Sequence, residues 1–183
     1  MAGKLDGKKI AFLFADGVEQ VELEEPLKAV KEEGADVDLI SLEEGEVQAF
    51  QHLDHGDKIK VDKAVSDADS SDYDALVVPG GVANPDFLRV DEDAMRFVRE
   101  FFEAGKPSGV ICHGPWVLVE TGVVDGMKVT SWPSLKTDIR NAGGNWVDEE
   151  VVVDTDGPNT LVSSRKPDDL KAFCQSIVDT FRD

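Results

Sequence analysis

The stretch KIAFLFADGVEQVEL, residues 9–23, decides the fold class. Its first part, Lys9–Ala15, is an almost unbroken apolar run, which is typical of a strand buried on both faces of a parallel sheet. The chain then continues into EPLKAVKEEGA, where Leu27 and Val30 stand at helical spacing and Gly34 is a good helix stop. A strand followed directly by a helix indicates a βα unit, the building block of doubly wound sheets.

The alternation of strands and helices continues to the end of the chain. Buried strands are predicted at Asp36–Ser41, Ala75–Val78 and Ser108–Ile111. Helices are predicted at Asp91–Ala104 and, after an initial proline, at Pro167–Phe181. We therefore expect a doubly wound, mostly parallel α/β sheet covered by helices on both faces.

Two parts of the chain are less regular. Residues 42–72 are polar, with short strand candidates near Val47–Phe50 and Ile59–Val61. Trp146–Val153 and Thr160–Ser163 flank a DGPN turn and are predicted to form strands or a hairpin.

Length and composition indicate a folded protein with one domain over residues 1–183. At this size roughly 70% of the unfolded surface can be buried, and 41% of the residues are hydrophobic. No apolar run approaches the ~20 residues that span a bilayer, and the N-terminal residues lack the apolar core of a signal peptide. The two cysteines argue against a disulfide framework. We expect a cytoplasmic protein.

The charge is strongly acidic, with 38 Asp and Glu against 19 Lys and Arg and a net charge of −19. Such a surface repels nucleic acid and anionic membranes, so neither is an expected partner. A salt-loving source and an ordinary acidic cytosolic protein both fit this composition.

Three polar or glycine-rich stretches follow predicted strands, where ligands bind in open α/β sheets. They are Asp16–Glu19, Pro79–Asp86 and Cys112–Pro115. In the third, a sharp turn from strand to helix would present the Cys112 thiol as a nucleophile, with a helix N-terminus lowering its pKa. The alternative is a buried, inert thiol, which is common for lone cysteines.

The neighbours of Cys112 suggest how such a thiol would work. His113 is a candidate general base, or else a histidine that packs the turn. A protonated Glu19 could donate a hydrogen bond to the sulfur, or else serve only as a helix N-terminal acid, as expected for Glu22. The backbone N–H groups of Gly81 and His113 could form an oxyanion hole.

Other candidate sites are weaker. His52 and His55 lie in a polar stretch with too few ligands for a metal site. Without a G-x-G-x-x-G or Walker motif, no nucleotide cofactor is expected. Cys174 fits a packing position in the last helix, and the three tryptophans either line the site or fill the core.

Several motifs in order resemble the ThiJ/PfpI family, in particular its PfpI-type intracellular proteases and deglycases, which are related to class I glutamine amidotransferase domains. The resemblance covers nearly the whole chain and rests on DGVEQVEL (16–23), HLDHGD (52–57), VVPGGVANPDFLR (77–89), ICHGPW (111–116), TSWPSLKTDIRNAGGNWVDEEVVVD (130–154) and SSRKPDDL (163–170).

The resemblance implies a flavodoxin-like α/β sandwich with Cys112 as nucleophile on an elbow, His113 beside it, and Glu19 as the acid that contacts the thiol. It implies that Asp86, one methylene shorter than Glu, reaches the histidine of a neighbouring subunit, and that Gly81 and His113 form the oxyanion hole. The protein would then act as a homodimer or hexamer. The glutamine amidotransferase triad is excluded, because no histidine follows His113.

Three functions remain open at this stage. The leading one is a cysteine hydrolase for glycated protein, α-oxoaldehydes such as methylglyoxal, or small peptides. The second is a non-enzymatic oxidative-stress sensor or chaperone with an oxidisable Cys112. The third is a structural module whose thiol is inert. For the first two we expect a thiol pKa well below 8.5.

Overall fold

The computed structural model describes residues 2–183, which contain eleven strands and six α-helices. The strands are β1 (Lys9–Leu13), β2 (Asp36–Ser41), β3 (Gly45–Gln51), β4 (Asp54–Val61), β5 (Lys63–Ala64), β6 (Ala75–Val78), β7 (Ser108–Ile111), β8 (Lys128–Val129), β9 (Asn145–Trp146), β10 (Val151–Asp154) and β11 (Leu161–Ser164). The helices are α1 (Gln20–Glu32), α2 (Ala83–Arg89), α3 (Glu92–Glu103), α4 (Trp116–Thr121), α5 (Lys136–Asn141) and α6 (Leu170–Phe181).

Seven strands form the central sheet in the order β10-β11-β7-β6-β1-β2-β5. Every pairing in it is parallel except that of β10 with β11. The chain moves from β1 to β2 on one side and then returns to β6 on the other. This reversal opens a crevice at the carboxyl ends of β1 and β6, where α/β sheets bind ligands.

Both faces of the sheet are buried, and β1 shows how. Ala11 and Leu13 belong to one apolar cluster with residues of α2, α3, α4 and α5. Ile10 and Phe12 point the other way, into a second cluster with residues of α1 and α6. Because successive side chains of a strand alternate between faces, the unbroken apolar run serves both layers. The flavodoxin-like α/β fold with a mostly parallel sheet is confirmed.

The polar stretch after β2 is more regular than its composition predicts. β3 and β4 pair antiparallel and form a separate two-stranded hairpin, longer than the two short strands expected. Much of β4 is exposed, so few of its residues need to be apolar. The polar stretch with His52 and His55 forms the tip of this hairpin and the start of its second strand. No helix of residues 2–183 is long and apolar enough to cross a membrane.

Candidate active site

The three stretches expected at the sheet edge do meet there. β7, β6 and β1 are neighbours, so the segments that follow them lie side by side. The backbone N–H of Glu19, after β1, donates to the Gly80 carbonyl, after β6, at 3.2 Å. Asn84 ties the same segments together, since its amide donates to the carbonyls of Pro79 and Gly80 and its Oδ1 accepts from Ala15 N at 2.7 Å.

Cys112 occupies a sharp turn between β7 and α4. Its φ is 63°, in the left-handed region that non-glycine residues rarely adopt. The Cys112 N–H still continues the sheet by donating to Ser164 O at 3.0 Å, and Gly114 N–H then closes the turn on Ile111 O at 2.9 Å. Such a strained residue between strand and helix is the geometry of a nucleophile elbow. Cys112 is buried, with 5% of the residue exposed.

The carboxyl group beside the thiol belongs to Glu22. A Cβ atom added to Gly80 would collide with Glu22 Oε1 and would come within 2.6 Å of Cys112 Cβ, so the two side chains converge over this glycine. Glu22 is fully buried, and among residues 2–183 neither of its carboxyl oxygens completes a hydrogen bond of ordinary geometry. The expectation that Glu19 contacts the thiol is therefore corrected: Glu22, one turn further along α1, holds that position.

Burial governs the electrostatics of this pair. Burial, together with the Glu19 carboxylate, raises the pKa of the Glu22 carboxyl to about 8, although the Cys112 thiol and the Gly80 N–H favour its ionised form. Burial and the Glu22 carboxylate raise the pKa of the Cys112 thiol above its ordinary value, whereas the N–H groups of Gly81 and His113, which face the sulfur, lower it. The predicted lowering of the thiol pKa is thus contradicted, because burial alone is the largest influence on it.

His113 lies against the same sulfur. Its Nδ1 is 3.3 Å from Cys112 Sγ, a separation that the left-handed turn makes available to sequence neighbours. Burial lowers the pKa of His113 to about 4, so the imidazole is neutral near pH 7. Trp132 stacks on the ring at 5.7 Å between centroids, and Trp116 meets it edge-on at 5.4 Å.

Glu19 has a different task from the one predicted. Its two carboxylate oxygens each accept a hydrogen bond of 3.2 Å from the backbone N–H of His52, at the tip of the β3–β4 hairpin. The imidazole Nδ1 of His52 is 3.9 Å from Glu19 Oε1. Glu19 therefore joins the start of α1 to the hairpin tip.

Asp86 lies apart from the thiol in this chain. It is exposed on α2, with the exposed apolar side chains Phe87 and Val90 nearby in sequence. Neither Asp86 nor Phe87 lines the cavity at the thiol. Among the residues described, no group of three or more His, Cys, Asp or Glu side chains is arranged to hold a metal ion.

The thiol opens onto a cavity of about 250 Å³. Its lining comprises Glu19, Glu22, His52, Leu53, Gly81, Val82, Cys112, His113, Trp132 and Pro167. The sequence did not predict that Glu22 lies beside the thiol, that Asn84 ties the segments together, or that Leu53 lines the cavity. The only available signal was weak: Glu22 lies three residues after Glu19, near enough on a helix to share its end of the site.

The chain matches the DJ-1/PfpI family over residues 8–180. It is 46% identical over 166 residues to YraA of Bacillus subtilis, whose name assigns it provisionally to the cysteine proteases, with 91% of this chain and 94% of that protein covered. It is 42% identical over 174 residues to the deglycase TK1284 of Thermococcus kodakarensis, with 95% and 99% covered.

A solved structure supports the same assignment. It is a protein of Anabaena variabilis containing DJ-1/ThiJ/PfpI-like and ferritin-like domains, with a TM-score of 0.86 and 32% identity. The alignment covers 94% of this chain and 47% of that two-domain protein. Together with the thiol on its left-handed elbow, these likenesses lead to one conclusion: the chain belongs to the DJ-1/PfpI family.

Proposed function

We propose that this chain is a cysteine-dependent hydrolase that acts on small carbonyl compounds, namely α-oxoaldehydes and the adducts they form with proteins. The observation that carries the proposal is the Cys112 sulfur on a left-handed turn, faced by two backbone N–H groups, a buried carboxyl and a neutral imidazole. A cavity of about 250 Å³ suits a ligand smaller than drug-sized molecules. The relatives named as a deglycase and as a cysteine protease support hydrolysis in general.

The proton on Glu22 is what makes the thiol reactive in this proposal. Carboxylate with thiol, and carboxylic acid with thiolate, have the same net charge, so one proton can be shared by the pair. The N–H groups of Gly81 and His113 face the sulfur and favour the thiolate. A protonated Glu22 donates a hydrogen bond to the Cys112 sulfur, whereas an ionised Glu22 repels the thiolate. With the proton on Glu22 the site can hold a thiolate despite its burial.

The proposed reaction uses Cys112, Glu22, His113 and water, and it needs no cofactor. Sγ forms a bond to the aldehyde carbon, and the carbonyl π pair moves to oxygen, which takes up the proton held by Glu22. His113, neutral at pH 7, moves a proton from this carbon to the neighbouring carbonyl carbon, and the hydroxyl proton passes to the neighbouring oxygen, which yields the thioester of a 2-hydroxy acid. Water cleaves the thioester, releasing a 2-hydroxy acid and the thiol.

Asp86 extends the proposal to an oligomer. We infer that Asp86 reaches His113 of a second subunit, so that each active site is completed across an interface. Its exposure on α2, beside the exposed apolar residues Phe87 and Val90, supports this, because such a surface is suited to burial against another copy.

A second candidate function, a sensor of oxidative stress, is suggested by Cys112 and Glu22. A thiol beside a buried carboxyl can be oxidised to a sulfinate, which the protonated Glu22 would hydrogen-bond. Mild peroxide followed by intact mass tests this. A selective gain of two oxygens on Cys112 without turnover of any carbonyl substrate would favour a sensor over a hydrolase.

The test of the hydrolase is a comparison of two conservative variants. Purified wild type, Cys112→Ser and Cys174→Ser are assayed on methylglyoxal, an early glycation adduct and a short peptide. We expect Cys112→Ser to lose at least about 100-fold in kcat/KM on a carbonyl substrate, because its hydroxyl is a far weaker nucleophile. Cys174→Ser, altered on α6, should keep wild-type activity. Equal activity of wild type and Cys112→Ser on all three would refute the proposal.

A further inference from the structure

The cavity beside Cys112 opens through an apolar mouth formed by Leu53, Val82, Trp132 and Pro167. Leu53 is 91% exposed and Val82 59%. No Lys or Arg of residues 2–183 lines this cavity, whereas Glu19 and Glu22 do. Exposed apolar side chains grouped around a concave site mark a surface for an apolar ligand rather than for an anion.

Leu53 is held in place although it is exposed. It follows His52, whose φ of 59° turns the chain at the tip of the hairpin. Beside it, His52 N–H donates to both carboxylate oxygens of Glu19, and Phe50 N–H donates to the Val18 carbonyl at 2.8 Å. These bonds fix the hairpin tip to the chain segment that precedes α1. The position of Leu53 relative to the thiol is thus set by backbone contacts.

We propose that the apolar mouth binds an apolar substituent next to the reacting carbonyl, with Leu53 as the specificity-determining residue. Aryl and bulky alkyl α-oxoaldehydes are then preferred to methylglyoxal, and substrates with an anionic substituent are rejected by Glu19. The preference comes from apolar area removed from water when the substituent covers Leu53. The inference rests on the proposed function in taking Cys112 as the reacting group.

The test uses alkylation of the thiol, which requires no turnover. Phenacyl bromide and bromoacetone differ only in a phenyl or a methyl group beside the carbonyl, and with each the sulfur forms a bond to carbon as bromide leaves. Rates at Cys112 are followed by peptide mass, which separates it from Cys174. Each rate is divided by that of N-acetylcysteine, so the intrinsic reactivities of the two reagents cancel.

We expect the corrected ratio of phenacyl bromide to bromoacetone to be about tenfold for wild type and to fall most of the way to one in Leu53→Ser. Val153→Ser is the matched control, because Val153 is an exposed apolar residue on β10 that does not line the cavity. It should keep the wild-type ratio. Since Leu53 makes little buried contact, its replacement should leave the fold intact.

Two results would overturn the inference: a wild-type ratio near one, or an unchanged ratio in Leu53→Ser. Neither result would contradict the proposed hydrolase function, which the carbonyl assays test separately. Conversely, a ratio that depends on Leu53 in a protein that turns over no carbonyl substrate would support the apolar mouth and refute the hydrolase.

Discussion

Glu22 links the chemistry of the site to the stability of the protein. Burial raises its pKa from 4.5 to about 8, so the folded state keeps a proton that the unfolded state releases above pH 4.5. The stability contributed by this proton is therefore fully present below pH 4.5, falls as the pH rises above 4.5, and is lost once the pH has passed about 8.

We expect Glu22→Gln to remove this loss. The free energy of unfolding of wild type should fall, relative to the variant, by up to about 1.4 kcal/mol per pH unit between pH 4.5 and 8. Urea unfolding at several pH values measures it. Glu25→Gln, exposed on the same helix, is the control and should follow wild type. Parallel pH profiles for wild type and Glu22→Gln would show that Glu22 is not protonated in the fold.

Which carboxylate of α1 lies beside the thiol could not be predicted from the sequence. Glu19, Glu22, Glu24 and Glu25 are four carboxylates within seven positions, and sequence alone does not fix the rotation of α1 against the sheet. A buried carboxyl is normally costly, which favours Glu22 as a surface residue until its neighbours are known. Cys112, His113 and Gly81 were predictable, because a strand end followed by small residues places them directly.

The turn from β7 into α4 requires glycine at position 114, because a Cβ atom there has no space. A Cβ at this residue would lie 2.8 Å from Val110 Cγ1 and 2.9 Å from the carbonyl oxygens of Ile111 and Val78. These atoms belong to β6 and β7, which cannot move without disturbing the sheet. The elbow is thus built into the centre of the fold.

Gly114→Ala should therefore destabilise the protein by about 1–3 kcal/mol, the usual cost of an overpacked site. Gly157→Ala is the control, since its Cβ would lie 3.3 Å from Met127 Cε, the end of a flexible side chain, and 3.9 Å from Asn159 O, an ordinary contact. Guanidinium unfolding midpoints compare the two. Equal midpoints would mean that the elbow relaxes at no cost.

The bounds of the strands in the central sheet and of the longer helices that cover it were predictable to within a few residues. The strands could be located because each one is apolar on both faces. The β3–β4 hairpin was not, and the reason is physical. It lies outside the central sheet and leaves most of β4 exposed, so its sequence lacks the apolar run that marks the other strands. Its contribution to the cavity, through Leu53, was hidden for the same reason.

The proposed oligomer makes a prediction about the assembled molecule. If Asp86 serves the histidine of a second subunit, Asp86→Asn and Cys112→Ser should each be inactive alone. Refolded together as a dimer, they should recover about a quarter of wild-type activity, because half of the random pairs contain one intact site of two.

Asp93→Asn is the control for Asp86→Asn and should remain active, because Asp93 is a half-exposed aspartate on α3 that pairs with Arg96. Light scattering shows whether each variant still assembles. Full activity of Asp86→Asn, or no recovery in a mixture that does assemble, would place the whole site within one chain.

The two indole rings that flank His113 give the molecule a built-in optical reporter. Trp132 and Trp116, two of its three tryptophans, contact the imidazole from two sides, and Trp132 also borders the opening of the cavity. Indole emission responds to the charge and the water around the ring. Occupation of the cavity and protonation of His113 should therefore both change the intrinsic fluorescence, so ligands can be titrated without a label and without a known reaction.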